Sequence, residues 1–423
     1  MSTVLTPRGS SREGTRPGQS RGQVLSSVAE PVSAHEREPS LDVLRGFAML
    51  GVLLANLFSL YSMRFVTWGG PKHDGLHDQI AAIFMGLLVH GKAQTLLTML
   101  FGFGFAAQLL RAQARGERVM PMYLRRLVTL FVIGWMHVLL LAWVDVTWGY
   151  ALVGFFLLAF LRVSNTTRVV AALVCVIGPN ILYAFPSVRP AIHAVLFDQP
   201  PPYYMMKFAD AVHSGDWLAI SKNNAIMGSL WMLGGNVLWY VPWLLGRFLL
   251  GYVVGAKRWF EGPRLDVFRK MFVIGILVAL PGLAIHIMQI ARVLDLRNAH
   301  MAVHAVIAVV EELSLLGHVA AFVAIIVLLM QRPVMRRVLG ILAPVGRMPL
   351  TTYLMQSAIC PVFFYGWGLD WKTPPPAACV GLGFAIFAFQ IAIAHLWLRW
   401  FRFGPAEWLW RTVVYLRVQP MRV

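Results

Sequence analysis

The residues of this chain that can do chemistry are histidine, carboxylate and cationic side chains set inside long apolar stretches. His137 is followed eight residues later by Asp145, and then by Trp148 and Tyr150. A carboxylate that orients an imidazole makes a general base that works near neutral pH. On one continuous helix eight residues leave the two side chains about 80° apart, so the spacing alone leaves a structural hydrogen bond open beside a catalytic one. His90, Lys92 and Gln94 interrupt a second apolar run. Lys92 is either a lysine snorkelling to the interface or a cation facing a polar cavity.

His304, Glu311 and His318 recur at seven-residue intervals and share one helix face, with Glu312 on another. Seven residues span about 10.5 Å of helix axis, too far for one helix alone to ligate an ion, and H-E-x-x-H spacing is missing. No metal site is expected. A proton path, a cavity wall or contacts satisfied by neighbouring helices all remain open for this stripe.

Asp42 and Arg45 are i,i+3 neighbours that can pair at a membrane interface. Asn56 returns to nearly the same face about 16 Å further along. This stripe is either an ion pair plus an amide joining two helices, or a polar lane running from the rim inward. A charge near the bilayer centre costs about 2.5–3.5 kcal/mol on insertion scales, so each such group needs a partner or a purpose.

Other chemistries find no support. Cys175, Cys360 and Cys379 lie in or beside apolar runs without a C-x-x-C pair, and read as small packing residues. Neither a dinucleotide or phosphate-binding glycine loop nor a G-x-S-x-G elbow occurs. Phe101-Gly102-Phe103-Gly104 follows no strand and suits close helix packing.

The elements that must position these side chains are membrane helices. The chain is 58% hydrophobic and 13% charged over 423 residues, with mean hydropathy +0.65. That is more apolar side chain than one soluble core hides, whereas a bilayer accepts it in runs of about 20 residues. The expected fold is all-α, a polytopic bundle of about ten transmembrane helices. The spans fall at 43–63, 93–110, 122–142, 147–161, 169–186, 229–255, 271–290, 302–330, 348–367 and 377–398. A short helix over 79–90 dips into the outer leaflet.

A net charge of +18 could suggest nucleic acid. The arginines instead concentrate in alternate loops, which retains those loops, and both termini, on the cytoplasmic side. Residues 1–40 read as a disordered cytoplasmic tail, 41–398 as the transmembrane domain, and 399–423 as a basic amphipathic tail along the inner surface. The longest outer loop, 187–228, is long enough to fold over as a lid. Glu407 and Arg411, i,i+4 on the last helix, are expected to pair.

Several stretches resemble the YeiB family of bacterial inner-membrane proteins, a domain of unknown function numbered 418. They are Leu41–Gly51 with Asn56, Gly91-Lys92 with Leu100-Phe101-Gly102, and His137 with Asp145 and Tyr150–Gly154. The likeness continues through Gly346-Arg347-Met-Pro-Leu-Thr-Thr-Tyr353-Leu-Met-Gln356-Ser357, Phe364-Tyr365 and Phe403–Arg411. The family is more distantly similar to transmembrane acyltransferases, which pass acyl groups from a cytoplasmic donor such as acyl-CoA to an envelope acceptor. Those carry a basic residue and a catalytic His about eleven positions apart on the first span. Here Arg45 matches the basic residue, while Asn56 occupies the His position. Another His must then serve, and His73, His90 and His137 are the candidates.

The resemblance thus implies acyl transfer to an envelope glycan or lipid, with acyl-CoA as co-substrate and no resident cofactor. Arg125, Arg126 and Arg347 would hold donor phosphates. Asp42, Arg45, Lys92, Tyr353, Gln356 and Glu312 would line the path, and His137, Asp145, His90 and Asn56 are the catalytic candidates. Two rivals stand beside it: a proton-coupled transporter that uses Glu311, Glu312 and the histidines, and a non-catalytic accessory protein. All three expect the bilayer as the main partner. The two active readings require the polar residues to gather around a shared cavity.

Overall fold

A computed structural model describes residues 38–64, 75–114, 120–185, 188, 201–233, 236–261, 264–291, 293–294, 296 and 299–423. Among them every regular element is helical. Eight helices are long and apolar enough to cross a membrane. Two shorter ones, Thr147–Phe160 and the 16-residue Pro349–Phe364, complete the ten places that hydropathy marks.

The first span is α1 (Pro39–Ala55), with proline in its first turn, continued by a π-helical turn over Asn56–Tyr61. Residues 39 and 40 therefore belong to the bundle, and 1–37 lie outside the described residues. The second apolar run is broken where its polar residues stand. Helix α2 (Leu76–Phe84) ends in a π turn, Met85–Val89, and Gly91 takes φ +74° before α3 (Lys92–Ala114) begins. A positive φ suits glycine because it carries no Cβ.

Next come α4 (Met120–Leu140), α5 (Thr147–Leu157) and α6 (Asn165–Ala184). Ser164 caps α6 by accepting from the Thr167 amide at 3.0 Å. The expected long loop is largely helical: α7 (Pro201–Ser214) and α8 (Trp217–Leu233) pack onto the bundle through buried Phe208, Val212 and Ile220. They are followed by α9 (Asn236–Ala256), α10 (Leu265–Ile290), α11 (Met301–Leu329) and the short α12 (Pro333–Gly340) and α13 (Ala343–Arg347). The chain closes with α14 (Pro349–Phe364), α15 (Pro376–Trp397) and α16 (Pro405–Tyr415).

Helices α3 and α9 form one of the closest pairs. A methyl group on Gly102 would fall 2.1 Å from the Phe248 carbonyl oxygen, and one on Gly251 would fall 1.9 Å from that of Met99. Gly104, by contrast, faces open space. Helix α10 turns Val273, Ile274, Leu277 and Leu280 outward, as a lipid-facing helix does.

The C-terminal tail docks rather than lying free. Arg125 Nε donates to the Val414 carbonyl at 2.9 Å, and Arg402 N to Met421 O at 2.9 Å. Glu407 does not end in the expected pairing with Arg411. Its two oxygens accept from Leu350 N (2.6 Å), Thr351 N (3.1 Å) and the Thr351 hydroxyl (2.5 Å), which caps α14. The Leu350 and Thr351 amides left free at the helix start attract a carboxylate more strongly than an i,i+4 cation does. Burial raises the Glu407 carboxyl above its ordinary range, against the pull of these hydrogen bonds.

At the end opposite the arginine-rich loops, His213 Nδ1 lies 2.5 Å from Asp370 Oδ1, and Lys372 Nζ lies 3.3 Å from Oδ2. The hydrogen bond from His213 holds the Asp370 carboxyl below its ordinary 3.8, helped by Lys372. A depressed folded-state value gives stability that is present above the ordinary value and lost as pH falls through the lower one. Amide exchange in α7, corrected for intrinsic rate, should therefore accelerate below about pH 4. Asp370→Asn should flatten that dependence.

Candidate functional site

Helix α4 ends just past His137, whose carbonyl accepts from Leu141 N at 2.9 Å and Ala142 N at 3.1 Å. The chain then turns and α5 starts at Thr147. Asp145 Oδ1 accepts from Thr147 N (2.7 Å), the Thr147 hydroxyl (2.6 Å) and Trp148 N (3.0 Å). One carboxylate oxygen thus caps α5 and leaves Oδ2 for His137 Nδ1, 3.0 Å away and approached obliquely to the ring N–H. On its other side His137 Nε2 lies 2.7 Å from Ser357 Oγ, and the ring packs at 4.9 Å on Tyr353, one turn before Ser357 on α14.

Asp145, His137 and Ser357 therefore form a carboxylate–imidazole–hydroxyl relay. A ring proton on Nδ1, the nitrogen nearer the carboxylate, would leave Nε2 free to accept the serine proton. His137 is 2% exposed, Asp145 0% and Ser357 3%, so water is excluded and the electrostatic contacts act in a weakly screening medium.

Gly134, one turn before His137, makes room for this arrangement. A methyl group there would fall 2.6 Å from Thr147 Oγ1 and Trp148 N and 2.8 Å from Asp145 Oδ1. Gly134→Ala should lower stability by about 1–3 kcal/mol through overpacking. It should also move Asp145 away from His137, read as a lower thermal midpoint.

A second polar centre lies between α3, α6, α9 and α11. Arg247, fully buried on α9, pairs with Glu312. It also donates through Nε to Thr95 Oγ1 at 2.9 Å and through NH1 to Trp243 O at 3.0 Å, and stacks 3.4 Å above the Trp243 ring. Asn180 donates to Glu312 Oε2 at 3.3 Å and accepts from Trp239 Nε1 at 3.0 Å. Beside this network lies a cavity of about 620 Å³, whose polar wall includes Lys92, His286, His304, Glu311, Glu312 and His318. Helix α3 links the two centres, since Gln94 Nε2 donates to Tyr240 OH at 3.2 Å and Thr98 Oγ1 lies 3.0 Å from Tyr150 OH.

The predicted residues thus divide among several places instead of lining one void, so the shared cavity that both active readings required is not formed and each reading has to rest on one cluster alone. His137, Asp145 and Tyr353 meet in the relay, while Lys92 and Glu312 meet at the cavity. Asp42 and Arg45 pair at 2.9 Å at the arginine-rich end, where α13, which ends in Arg347, touches α1 closely enough that a methyl on Gly346 would fall 1.8 Å from Asp42 O. Arg126 stands near Arg45 and Arg411, reaches Gln108 Oε1 at 2.5 Å and lies 4.7 Å from the Trp410 ring. Arg125 is occupied by the tail.

Three candidates fall outside these groups. Gln356 joins helices, donating to Met49 O at 3.3 Å and Gln390 Oε1 at 3.2 Å. Asn56 opens the π turn of α1, and His90 packs edge-on to Phe58 at 5.4 Å, so neither enters the relay. His73 lies outside the described residues. No group of three or more His, Cys, Asp or Glu among the described residues is arranged to hold a metal ion.

Sequence reasoning missed Ser357 and Arg247 as functional candidates. Arg247 had a signal, an arginine eleven residues into an apolar span. For Ser357 the signal was its i,i+4 spacing from Tyr353.

Comparison with known proteins finds relatives along nearly the whole chain. Residues 254–417 match a family described as "Protein of unknown function (DUF418)". Over 417 residues the chain is 30% identical to "Uncharacterized protein YxaH" of Bacillus subtilis (strain 168), covering 93% of this chain and 98% of that protein. It is 27% identical to "Uncharacterized protein YeiB" of Escherichia coli (strain K12), covering 89% and 96% respectively. An "Uncharacterized 39.9 kDa protein in amylase 3'region" of Bacillus acidopullulyticus is also 27% identical, covering 93% and 98%. No solved structure matches the chain.

Proposed function

The chain belongs to the YeiB-like DUF418 family, and we propose that it is a membrane-embedded acyltransferase whose chemistry runs through Asp145, His137 and Ser357. One observation carries this reading: a buried carboxylate oxygen lies 3.0 Å from one nitrogen of the buried imidazole, off its N–H axis, and a buried hydroxyl lies 2.7 Å from the other. Serine alone is a weak nucleophile, and a base oriented by a third group is what activates it.

In the first half-reaction Ser357 Oγ attacks the carbonyl carbon of an acyl thioester such as acyl-CoA while its proton passes to His137 Nε2. The carbon–sulfur bond breaks, and the imidazolium returns the proton to the leaving thiolate. In the second, His137 takes the proton of an acceptor hydroxyl on an envelope glycan or lipid. That oxygen attacks the acyl-serine, and Ser357 leaves with the proton.

The arginine-rich end, taken as cytoplasmic in a bacterial inner membrane, would hold the donor phosphates at Arg45, Arg126 and Arg347. Ser357 lies eight residues into α14, a depth of about 12 Å that the thioester arm must reach.

The test is intact-protein and peptide mass analysis after exposing the purified chain to short-chain acyl-CoA donors. An acyl adduct on Ser357 is expected, missing in Ser357→Ala and His137→Ala. The absence of both adduct and transfer for every short-chain donor removes the reading.

The cavity favours a second reading, a proton-coupled carrier in which Glu311, Glu312 and the histidines exchange protons with a small substrate. Proteoliposome flux that collapses in Glu312→Gln, with no acyl adduct formed, would select it.

A further inference from the structure

The cavity beside α11 holds a lysine that no carboxylate contacts among the described residues, at the end of the bundle opposite the arginines that would hold an acyl donor. Lys92 stands half-buried on its wall, and its Nζ donates to the Gly86 carbonyl at 2.7 Å. Among the described residues no carboxylate pairs with it. Glu312 is committed to Arg247 and Asn180. Glu311 stands on the same wall without an ion pair to Lys92.

Three imidazoles, those of His286, His304 and His318, share the wall with Lys92. His318 Nδ1 donates to Ser314 O at 2.8 Å, so its other ring nitrogen can donate to a ligand only in the imidazolium form. His286 is seated by Gly86, since a methyl there would fall 2.7 Å from its Nε2. Lys92 and His286 therefore flank the same glycine. Lys92 also opens α3, so the positive end of that helix dipole lies at the same point.

We infer that this cavity is a binding site for a phosphate group, presented either by a phospholipid headgroup or by a small water-soluble phosphate. Lys92 Nζ keeps donors beyond the one given to Gly86 O, and the wall imidazoles add donors when protonated, against the three or four oxygens that a phosphate offers. At about 620 Å³ the space is of the size that small ligands fill. The lipid-facing α10, which contributes Gly282, Leu283, His286 and Gln289 to the wall, would allow a headgroup to enter sideways. An ammonium at this depth is otherwise left without the counter-ion that an intramembrane charge needs. The site goes beyond the relay of His137 and stands or falls independently of it.

The experiment uses the detergent-solubilised full chain and two probes. Isothermal titration with inorganic phosphate should show binding that weakens at least about tenfold in Lys92→Gln and persists in Lys92→Arg. Glu311→Gln, which removes a like charge from the wall, should strengthen it, a gain that a misfolded variant cannot mimic. Native mass spectrometry in parallel reads retained phospholipid, which a headgroup source predicts will be kept by the native chain and Lys92→Arg and shed by Lys92→Gln. Dependence on Lys92 in the first arm assigns a soluble phosphate, and dependence in the second assigns a headgroup. If neither phosphate affinity nor lipid retention changes in Lys92→Gln and in Glu311→Gln, the inference is overturned.

Discussion

Asp145→Asn is expected to leave the fold in place and to slow acyl transfer by about 10,000-fold. The amide oxygen can still accept from Thr147 N, the Thr147 hydroxyl and Trp148 N, so the cap on α5 survives. The amide NH2 then takes the place of Oδ2 and donates to His137 Nδ1. The imidazole must carry its proton on Nε2, where it donates to Ser357 and cannot receive the hydroxyl proton. The thermal midpoint should stay within about 4 °C of native while acylation is lost. Asp145→Ala makes the contrast, because it removes cap and base orientation together and should also forfeit about 0.5–2 kcal/mol of stability. Single-turnover acylation of Ser357 is the measurement. A native rate in Asp145→Asn would mean that the carboxylate serves only to start α5.

The bundle itself was legible because apolar runs of span length have few alternatives in water or lipid. The ten places follow from hydropathy, and the break at His90–Gly91 follows from the polar residues there. Asp145 and His137 were legible as chemistry but not as a contact, because the turn that brings them together is set by where α5 starts. Ser357 stands 220 residues from His137, a pairing that only tertiary packing decides. The π turns at Asn56 and Met85 have no hydropathy signature, and they determine where Asn56 and Gly86 face. Arg125 reads from sequence as a phosphate ligand, yet the tail uses it, because an amphipathic helix that docks brings its own backbone acceptors. The seven-residue stripe on α11 did mark a cavity wall, since residues on one helix face border the same space.

Glu312→Ala should destabilise the chain by about 3–5 kcal/mol, because it leaves the fully buried Arg247 guanidinium without its anion. Arg247→Met alone should be costly for the converse reason. The double variant Arg247→Met, Glu312→Leu should regain most of that loss, since replacing a buried ion pair by apolar side chains is often neutral. Asn180 would keep its bonds to Val176 O at 2.7 Å and Trp239 at 3.0 Å. A double-mutant cycle on thermal midpoints and denaturant unfolding in detergent isolates the coupling. Strictly additive losses would show that the two charges do not stabilise one another. If the double variant is stable and keeps Ser357 acylation, the pair serves the packing of α9 against α11. If it is stable but inactive, charge at the centre of the bundle is required for turnover, and the α3 side chains Gln94, Thr95 and Thr98, between Arg247 and the tyrosines near Asp145, are the route by which it acts.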